Sequence, residues 1–236
     1  MLSIIIPVCS EEKHLPNLLN SIKNQTYTAY EIIISDCSSK DHTIEIAKNY
    51  GCKIIRSCFY NKKFTNPQKQ AIELNKGVEL ANGDYFLFID ADMILNDKNM
   101  LDKVMTYYVS RYNIEVGTFK IEQSKGNWAT HVREIYRFFI PFATQVILVR
   151  KDIFYSVGGF KPVGYCLDVE FTKRIKQKGY KIHQIPLWVT HTRKYYMLSP
   201  STGIKALGSI VPKYKRRRLF SRAKPVYQNI NVIKAL

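Results

Sequence analysis

One stretch of the chain, residues 74–93, reads LNKGVELANGDYFLFIDADM and passes from a helical pattern to a pair of acids. Its first half places apolar residues three to four positions apart, which is the spacing of one face of a helix. A nearly continuous apolar run follows at 84–89 and is typical of a strand buried on both faces. Asp90 and Asp92 come directly after it. The sequence therefore predicts two carboxylates at the carboxyl end of a buried strand.

The same alternation of apolar run and helical pattern occurs before this stretch. Apolar runs at 3–8, 31–35 and 53–56 predict three further strands, with amphipathic helices between them. Ser10 and Ser38 or Ser39 are predicted to cap the first two helices. Successive strand–helix units build a sheet with helices on both faces. We therefore predict an α/β fold with a doubly wound, mostly parallel sheet.

The second half of the chain contains further elements and then changes character. The pattern predicts helices near 101–108, 132–139 and 168–179, and strands near 115–121, 145–149, 181–185 and 187–190. After about Tyr196 the alternation stops, and a short helix is followed by the basic run KYKRRR at 213–218. We predict one domain over residues 1–198 and a basic, partly helical C-terminal extension over 199–236.

Composition narrows the class of protein. The chain has 236 residues, 46% of them hydrophobic and 23% charged, which excludes disordered, collagen-like and disulfide-rich miniprotein classes. No apolar run is long enough to span a bilayer, and the N-terminus has no signal-peptide pattern, so we expect a cytoplasmic protein. Five cysteines without metal-binding spacing predict reduced thiols that pack mostly as small apolar residues.

The formal charge of +17 is concentrated in the second half. Residues 1–118 carry 13 basic and 14 acidic side chains, whereas residues 119–236 carry 23 and 5. From Phe171 onward there are 16 basic residues and no acidic one. Such asymmetry indicates an anionic partner, which could be a membrane surface, nucleic acid or a phosphorylated substrate.

Acidic residues follow three of the predicted strands. Glu11 comes after the first strand, Asp36 ends the second, and Asp90 and Asp92 follow the fourth. Ligands of open parallel sheets bind at this edge. Neither a dinucleotide-binding glycine motif nor a P-loop is present, which argues against those two enzyme classes. A carboxylate-rich site would need Mg²⁺ or Mn²⁺ to hold phosphates, although a two-acid motif is also common in simple turns.

Five blocks of the chain, taken in order, resemble glycosyltransferase family 2. They are SIIIPVCSEEKHLPNLLNSIKNQTY (3–27), YEIIISDCSSKDHT (30–43), the stretch 74–93, VGGF (157–160) and LDVEFTKRIKQKGYKI (167–182). The resemblance implies the GT-A fold, with a Rossmann-like nucleotide-binding half. It also implies inverting transfer of a sugar from a nucleotide-diphosphate sugar.

The resemblance implies a donor site at the acidic edge. Asp92 would be a metal ligand, Asp90 would face the ribose or the metal, and His191 would be a further metal ligand. The expected nucleotide-sugar-binding residues are Pro7, Glu11, Asp36, Asn75, Asp90, Ala91 and Asp92. Cys9-Ser10 replaces a family Tyr-Asn pair and Cys37 replaces a frequent second Asp, so the base, uracil or guanine, stays open. For Glu11, favourable charge at a helix N-terminus is an alternative, and for His191 a surface location.

The resemblance also implies an acceptor side. Asp168 would be the general base, and Gly158, Gly159 and Glu170 would lie near the acceptor. Asp168 shares a helical face with two apolar residues, Phe171 and Ile175, so an acid is expected on an inward stripe; a helix cap is the alternative. Leu167 stands where the family has a first acid.

Taken together, the sequence predicts a glycosyltransferase that needs Mg²⁺ or Mn²⁺ and a UDP- or GDP-sugar. The acceptor would be a glycan or a lipid-linked molecule, and the basic extension would bind the cytoplasmic face of an anionic membrane as a peripheral protein. The alternatives are a polyprenyl-phosphate sugar synthase, a catalytically inactive GT-A scaffold, and a nucleic-acid-binding protein. The last is disfavoured because it leaves the acidic edge unexplained.

Overall fold

The computed structural model describes residues 1–57, 66–123, 146–163 and 167–192. The chain divides into two units, Met1–Tyr195 and Tyr196–Leu236, and the described residues all belong to the first. The helix predicted near 132–139, the domain boundary at 198 and the extension 199–236 lie outside the described residues. Within those residues, no helix combines the length and apolar composition needed to cross a membrane.

Strands and helices alternate through the described part of the chain. The strands are β1 Leu2–Val8, β2 Tyr30–Asp36, β3 Lys53–Arg56, β4 Tyr85–Phe88, β5 Met93–Leu95, β6 Val116–Gln123, β7 Ile147–Arg150 and β8 His183–His191. The helices are α1 Leu15–Lys23, α2 Thr43–Asn49, α3 Asn66–Glu79, α4 Met100–Asp102, which continues as a π-helix over Lys103–Val109, α5 Lys151–Ser156 and α6 Leu167–Gln177.

The strands form one mixed sheet in the order β3-β2-β1-β4-β7-β6-β8-β5. Strands β1 to β4 are mutually parallel, β7 runs antiparallel to β4 and β6, and β8 runs parallel to β6. Alternate residues of β1 point into two separate apolar clusters, with Ile4 and Ile6 in one and Ile5 in the other. The predicted α/β fold with a doubly wound, mostly parallel sheet is confirmed.

The last strand is longer than the sequence pattern indicates. The two runs predicted at 181–185 and 187–190 form one strand, β8, whose pairing with β6 shifts between Phe119 and Lys120. Pro186 lies in that irregularity, where the loss of its backbone N–H is tolerated. The C-terminal end of β8 pairs with the short strand β5, which places His191 opposite Met93.

The predicted serine caps are wrong. The residues before α1 and α2 are His14 and His42, and neither makes a side-chain cap hydrogen bond. Ser10 and Ser38 instead adopt left-handed backbone conformations, with φ of 57° and 60°. The backbone N–H of Ser10 donates to Oγ of Ser39 at 2.8 Å. These serines therefore connect the loops at the ends of β1 and β2.

An aromatic cluster packs α6 against the sheet and α5. Phe171 is fully buried, and its ring centroid lies 4.3 Å from that of Phe160 and 5.8 Å from that of Phe154. We expect Phe171→Ala to lower the free energy of unfolding by about 3–5 kcal/mol, because the change leaves a cavity among rings. The same change at Tyr155, which is 56% exposed, is the control. Urea unfolding that gave equal losses for both variants would contradict this packing.

Candidate active site

Four carboxylates converge at the carboxyl edge of the parallel strands. Burial raises the pKa of Asp90 to about 8, and the negative charges of Asp92, Asp168 and Glu11 add to that rise. These acids come from the loop after β1, the turn after β4 and the first turn of α6. Like charges so close favour protonation, or a cation, because either reduces their repulsion. The structure therefore brings together four of the predicted site residues.

Asp92 is held by the end of β8. His191 is 3% exposed, and its Nε2 atom lies 3.3 Å from Oδ2 of Asp92. The backbone N–H and the hydroxyl of Thr192 both donate to the carbonyl oxygen of Asp92, at 2.8 and 2.9 Å. His191 is thus a buried neighbour of the acidic turn rather than a surface residue. In the described ranges no three His, Cys, Asp or Glu side chains are already arranged as a metal-binding group.

Gln70 is a site residue that sequence reasoning missed. Its Nε2 atom donates to Oδ1 of Asp90 at 3.0 Å, so the amide orients that carboxyl group. Gln70 lies in the first half of α3, and a helix that follows a parallel strand begins near the carboxyl edge of the sheet. A polar residue in that part of the helix was the signal available in the sequence.

Asp36 and Glu11 lie on the β1–β2 side of the edge. Asp36 is fully buried, with Oδ2 accepting from Nε of Arg56 at 3.0 Å and Oδ1 from the backbone N–H of Ser39 at 2.9 Å. Glu11 lies in the loop before α1 rather than in its first turn, and its N–H donates to Oγ1 of Thr43 at 2.8 Å. Asp36 therefore fixes the turn after β2. The negative charge of Glu11 contributes to the raised pKa of Asp90.

Two other predicted donor-site residues are Pro7, in β1, and Ala91, in the turn after β4. Pro7 is half-buried in β1 and pairs in register with Ser35 of β2. Ala91 is buried between the two acids of the turn after β4. A small residue there allows the turn to remain close to the core.

The Gly158-Gly159 turn is fixed from two sides. Both glycines have positive φ, 75° and 62°, which favours glycine. Asn75 on α3 donates to the carbonyl oxygen of Phe160 at 2.7 Å and accepts from its N–H at 2.9 Å. A side chain at Gly159 would place its Cβ 2.7 Å from Oδ1 of Asn75. The amide of Asn75, a predicted donor-site residue, thus binds this turn.

Arg174 holds the other side of the turn. Its guanidinium donates to the carbonyl oxygens of Val157 and Gly159, the latter at 2.7 Å. It also forms a bidentate ion pair with Glu170, with both N–O distances 2.7 Å. Glu170 is therefore oriented by Arg174, whereas Asp168, two residues earlier, acts electrostatically on Asp90. Leu167 is 8% exposed and belongs to the apolar core.

Removing the Asn75 side chain is expected to loosen this turn. Asn75→Ala leaves the buried N–H and C=O of Phe160 without that partner, so we expect a loss of about 1–3 kcal/mol in the free energy of unfolding. Asn17→Ala, at an exposed position of α1, is the matched control and should change stability by less than about 0.5 kcal/mol. Chemical denaturation would measure the free energy of unfolding of both variants. Equal stability of the two would refute the role assigned to Asn75.

More than half of the chain matches a known protein family. The model of glycosyl transferase family 2 matches residues 3–163. The chain belongs to glycosyl transferase family 2. The described acidic turn after β4 lies inside the matched region, whereas α6 with Asp168 and β8 with His191 lie beyond it.

Curated relatives match part of their own length. A 4,4'-diaponeurosporenoate glycosyltransferase of Staphylococcus haemolyticus is 35% identical over 107 residues, which are 45% of this chain and 28% of that protein. The poly(ribitol-phosphate) beta-N-acetylglucosaminyltransferase TarS of Staphylococcus aureus is 24% identical over 180 residues, covering 74% and 30%. The chain thus spans less than a third of the length of these two relatives.

Solved structures share the fold of this family 2 member. TarS 1–349 in complex with UDP-GlcNAc has a TM-score of 0.65 at 19% identity, covering 83% of this chain and 59% of that one. A mannosyltransferase from Pyrobaculum calidifontis in complex with GDP-Man and Mn²⁺ has a TM-score of 0.64 at 14% identity, covering 86% and 59%. The GT-A fold expected from the sequence is therefore confirmed.

Proposed function

We propose that this chain transfers a sugar, with inversion, from a nucleotide-diphosphate sugar to an acceptor hydroxyl. The observation that carries the proposal is the electrostatic coupling of Asp90 to Asp92, Asp168 and Glu11 at one sheet edge. Family membership supports the reaction class, and fold neighbours in complex with UDP-GlcNAc and GDP-Man support a nucleotide sugar.

The acidic turn suits a divalent cation. Asp90, Asp92 and His191 offer carboxylate oxygens and one imidazole nitrogen. Mn²⁺ accepts both types of ligand, whereas Mg²⁺ prefers the oxygens. Because the described residues form no complete metal-binding group, oxygens of the donor diphosphate and water would have to complete the coordination. When bound, the cation would stabilise the negative charge of the departing nucleoside diphosphate.

The β1–β2 side of the edge is proposed to hold the nucleoside. Pro7 and Ala91 would line the donor, and Glu11 would hydrogen-bond the ribose or base. Asp36 already accepts from Arg56 and Ser39. A base N–H would therefore use one of its remaining lone pairs, since a carboxylate has about four acceptor sites.

Asp168 is proposed as the general base. It lies in the first turn of α6, at the N-terminal end of a helix, which carries partial positive charge. The oxygen of the acceptor hydroxyl would attack the anomeric carbon on the side opposite the nucleotide. The Asp168 carboxylate would take up the proton of that hydroxyl. The ion pair with Arg174 leaves Glu170 less suited to this role. Gly158 and Gly159 would border the acceptor.

Release of the nucleotide tests the proposal. The full chain would be incubated with a panel of UDP- and GDP-sugars and Mn²⁺, and free UDP or GDP would be measured. We expect slow hydrolysis of at least one donor without acceptor, and faster release with its acceptor. If no donor of the panel is bound or hydrolysed under conditions in which the protein is folded, the proposal is wrong.

The acceptor is proposed to lie at an anionic membrane surface. The sequence supports this with 16 basic and no acidic residues after Glu170. One relative, from Methanococcus voltae, is named as acting on a dolichyl-linked glycosyl phosphate. A polyprenyl phosphate acceptor is the second candidate. Its oxygen is already anionic, so transfer to it would need no general base.

Binding to vesicles tests the membrane proposal. Replacing Lys215, Arg216, Arg217 and Arg218 by Gln should reduce co-sedimentation with phosphatidylglycerol vesicles, because each basic residue near the surface contributes about 1 kcal/mol. The same charge change at four exposed lysines of the described surface is the control, at Lys23, Lys48, Lys98 and Lys178. A protein that ignores these vesicles but is retained on RNA or DNA at physiological salt would contradict the proposal.

A further inference from the structure

Two thiols lie side by side at the ends of β1 and β2. The parallel register pairs Val8 with Asp36, and the N–H of Cys37 donates to the carbonyl oxygen of Val8 at 2.9 Å. Cys9 and Cys37 therefore directly follow the last paired residues of the two strands. The Sγ atom of Cys9 donates to the carbonyl oxygen of Cys37 at 3.3 Å. Each of the two cysteines also affects the pKa of the other.

This spacing suits a disulfide. Neighbouring strands lie about 4.8 Å apart, within the Cα–Cα range of about 4.4–6.8 Å that a disulfide spans. The flanking loops are already joined, since the N–H of Ser10 donates to Oγ of Ser39 at 2.8 Å and that of Lys40 to Oγ of Ser10 at 3.4 Å. A covalent bond between the thiols would therefore require little backbone movement.

The pair is accessible and chemically unused. Cys9 is exposed and Cys37 half-buried, so the expectation that the cysteines pack mostly as small apolar residues is wrong for Cys9. Neither thiol has a part in the proposed transfer. Both adjoin the proposed nucleoside region, because Cys9 lies two residues before Glu11 and Cys37 directly follows Asp36.

The surroundings keep both groups as thiols near neutral pH. Partial desolvation of the exposed Cys9 thiol, and then the negative charge of Asp36, raise its pKa. Burial and then the charge of Glu73 raise the pKa of Cys37 to about 11. The charged groups that act on the pair are Asp36, Glu11, Glu73 and Lys69, of which Lys69 opposes the rise. Because the thiolate is the attacking species, oxidation should be slow at neutral pH and faster as pH rises.

We propose that Cys9 and Cys37 form an oxidisable dithiol at the nucleoside side of the active edge, which a small-molecule disulfide converts into an internal disulfide. One cysteine thiolate attacks the oxidant, forming a mixed disulfide and releasing one small thiol. The second thiolate then attacks the sulfur of the first cysteine and releases the other small thiol. Two protein thiols are oxidised, and the S–S bond of the oxidant is reduced to two thiols, which take up the protons.

The location of the dithiol beside a bound nucleoside rests on the proposed function. A nucleoside bound against the ends of β1 and β2 would cover the exposed Cys9 thiol. A bound nucleotide is therefore expected to slow modification of Cys9, and a bulky group on Cys9 is expected to weaken nucleotide binding.

Oxidised glutathione and peptide mapping test the dithiol. The full chain would be treated at several pH values between neutral and alkaline, then digested under non-reducing conditions. We expect a peptide linked through Cys9 and Cys37, formed faster at higher pH, and absent in Cys9→Ser and Cys37→Ser. The control Cys52→Ser, which alters a half-buried thiol directly before β3, should leave the link intact. The proposal is overturned if the wild-type protein forms no Cys9–Cys37 link, whether the oxidant reacts with other cysteines or with none.

A second measurement tests whether the dithiol lies beside the bound nucleotide, independently of whether the disulfide forms. Alkylation of Cys9 by N-ethylmaleimide would be followed with and without UDP or GDP and Mn²⁺, in parallel with thermal unfolding as a readout of binding. At least about a tenfold slower alkylation with the bound nucleotide supports the placement. A nucleotide that stabilises the protein without slowing alkylation overturns the placement. If neither nucleotide stabilises the protein, the proposed function fails while the disulfide result still supports the dithiol.

Discussion

Asp168→Asn is expected to lower sugar transfer by about 10²–10⁴-fold while nucleotide affinity stays near that of the wild type. The change removes proton acceptance, to which a general base typically contributes this factor, and alters little volume. Steady-state turnover and nucleotide binding would be measured on the same preparations. Asp152→Asn is a matched control, because Asp152 is also an acid in the first turn of a helix, α5, but is exposed and paired with Arg150.

The outcome for Asp168→Asn also distinguishes the two acceptor classes. A large loss of turnover supports a hydroxyl acceptor, whose proton must be removed. Turnover close to the wild type, with the acceptor identified as a polyprenyl phosphate, would remove Asp168 from the base role. The same result with a hydroxyl acceptor would transfer the role to another acid, of which Glu170 is nearest in sequence.

Asp92→Ala is expected to abolish stabilisation of the protein by UDP or GDP with Mn²⁺. A nucleotide at about 100 times its Kd stabilises a native protein by about 2.7 kcal/mol, and this whole effect should disappear if Asp92 is needed for the cation. Thermal unfolding would be compared with Mn²⁺ and with EDTA. Asp84→Ala is the control, since this exposed acid precedes β4 at the opposite edge of the sheet. Equal stabilisation of wild-type protein in EDTA would contradict a cation-dependent donor site.

The parallel half of the fold could be predicted because its strands are buried on both faces. Strands such as β1 and β2 appear in the sequence as continuous apolar runs, and amphipathic spacing predicts the helices between them. The sequence predicts no strand at β5, because a three-residue segment carries no periodic pattern. The sequence predicts two strands where the structure has β8, because Pro186 interrupts the apolar pattern.

The acidic edge was predictable for a related reason. Carboxyl ends of parallel strands meet at one edge of a sheet, so acids that follow such strands must lie close together. The bonds of Gln70 to Asp90, and of Asn75 and Arg174 to the diglycine turn, join elements far apart in sequence. Their pairing depends on tertiary packing, and local sequence patterns do not contain it. The roles of the site residues in catalysis stay predictions.

Crystals soaked with Mn²⁺ and UDP or GDP would test the central claim most directly, because anomalous scattering locates manganese independently of the protein atoms. The central claim is that Asp90, Asp92 and His191 hold the cation that binds the donor diphosphate. We predict one manganese peak within coordination distance of Asp92, with diphosphate oxygens on the same ion and the nucleoside against the ends of β1 and β2. A nucleotide bound without metal at this edge, or manganese bound elsewhere with the acidic turn empty, would contradict the claim.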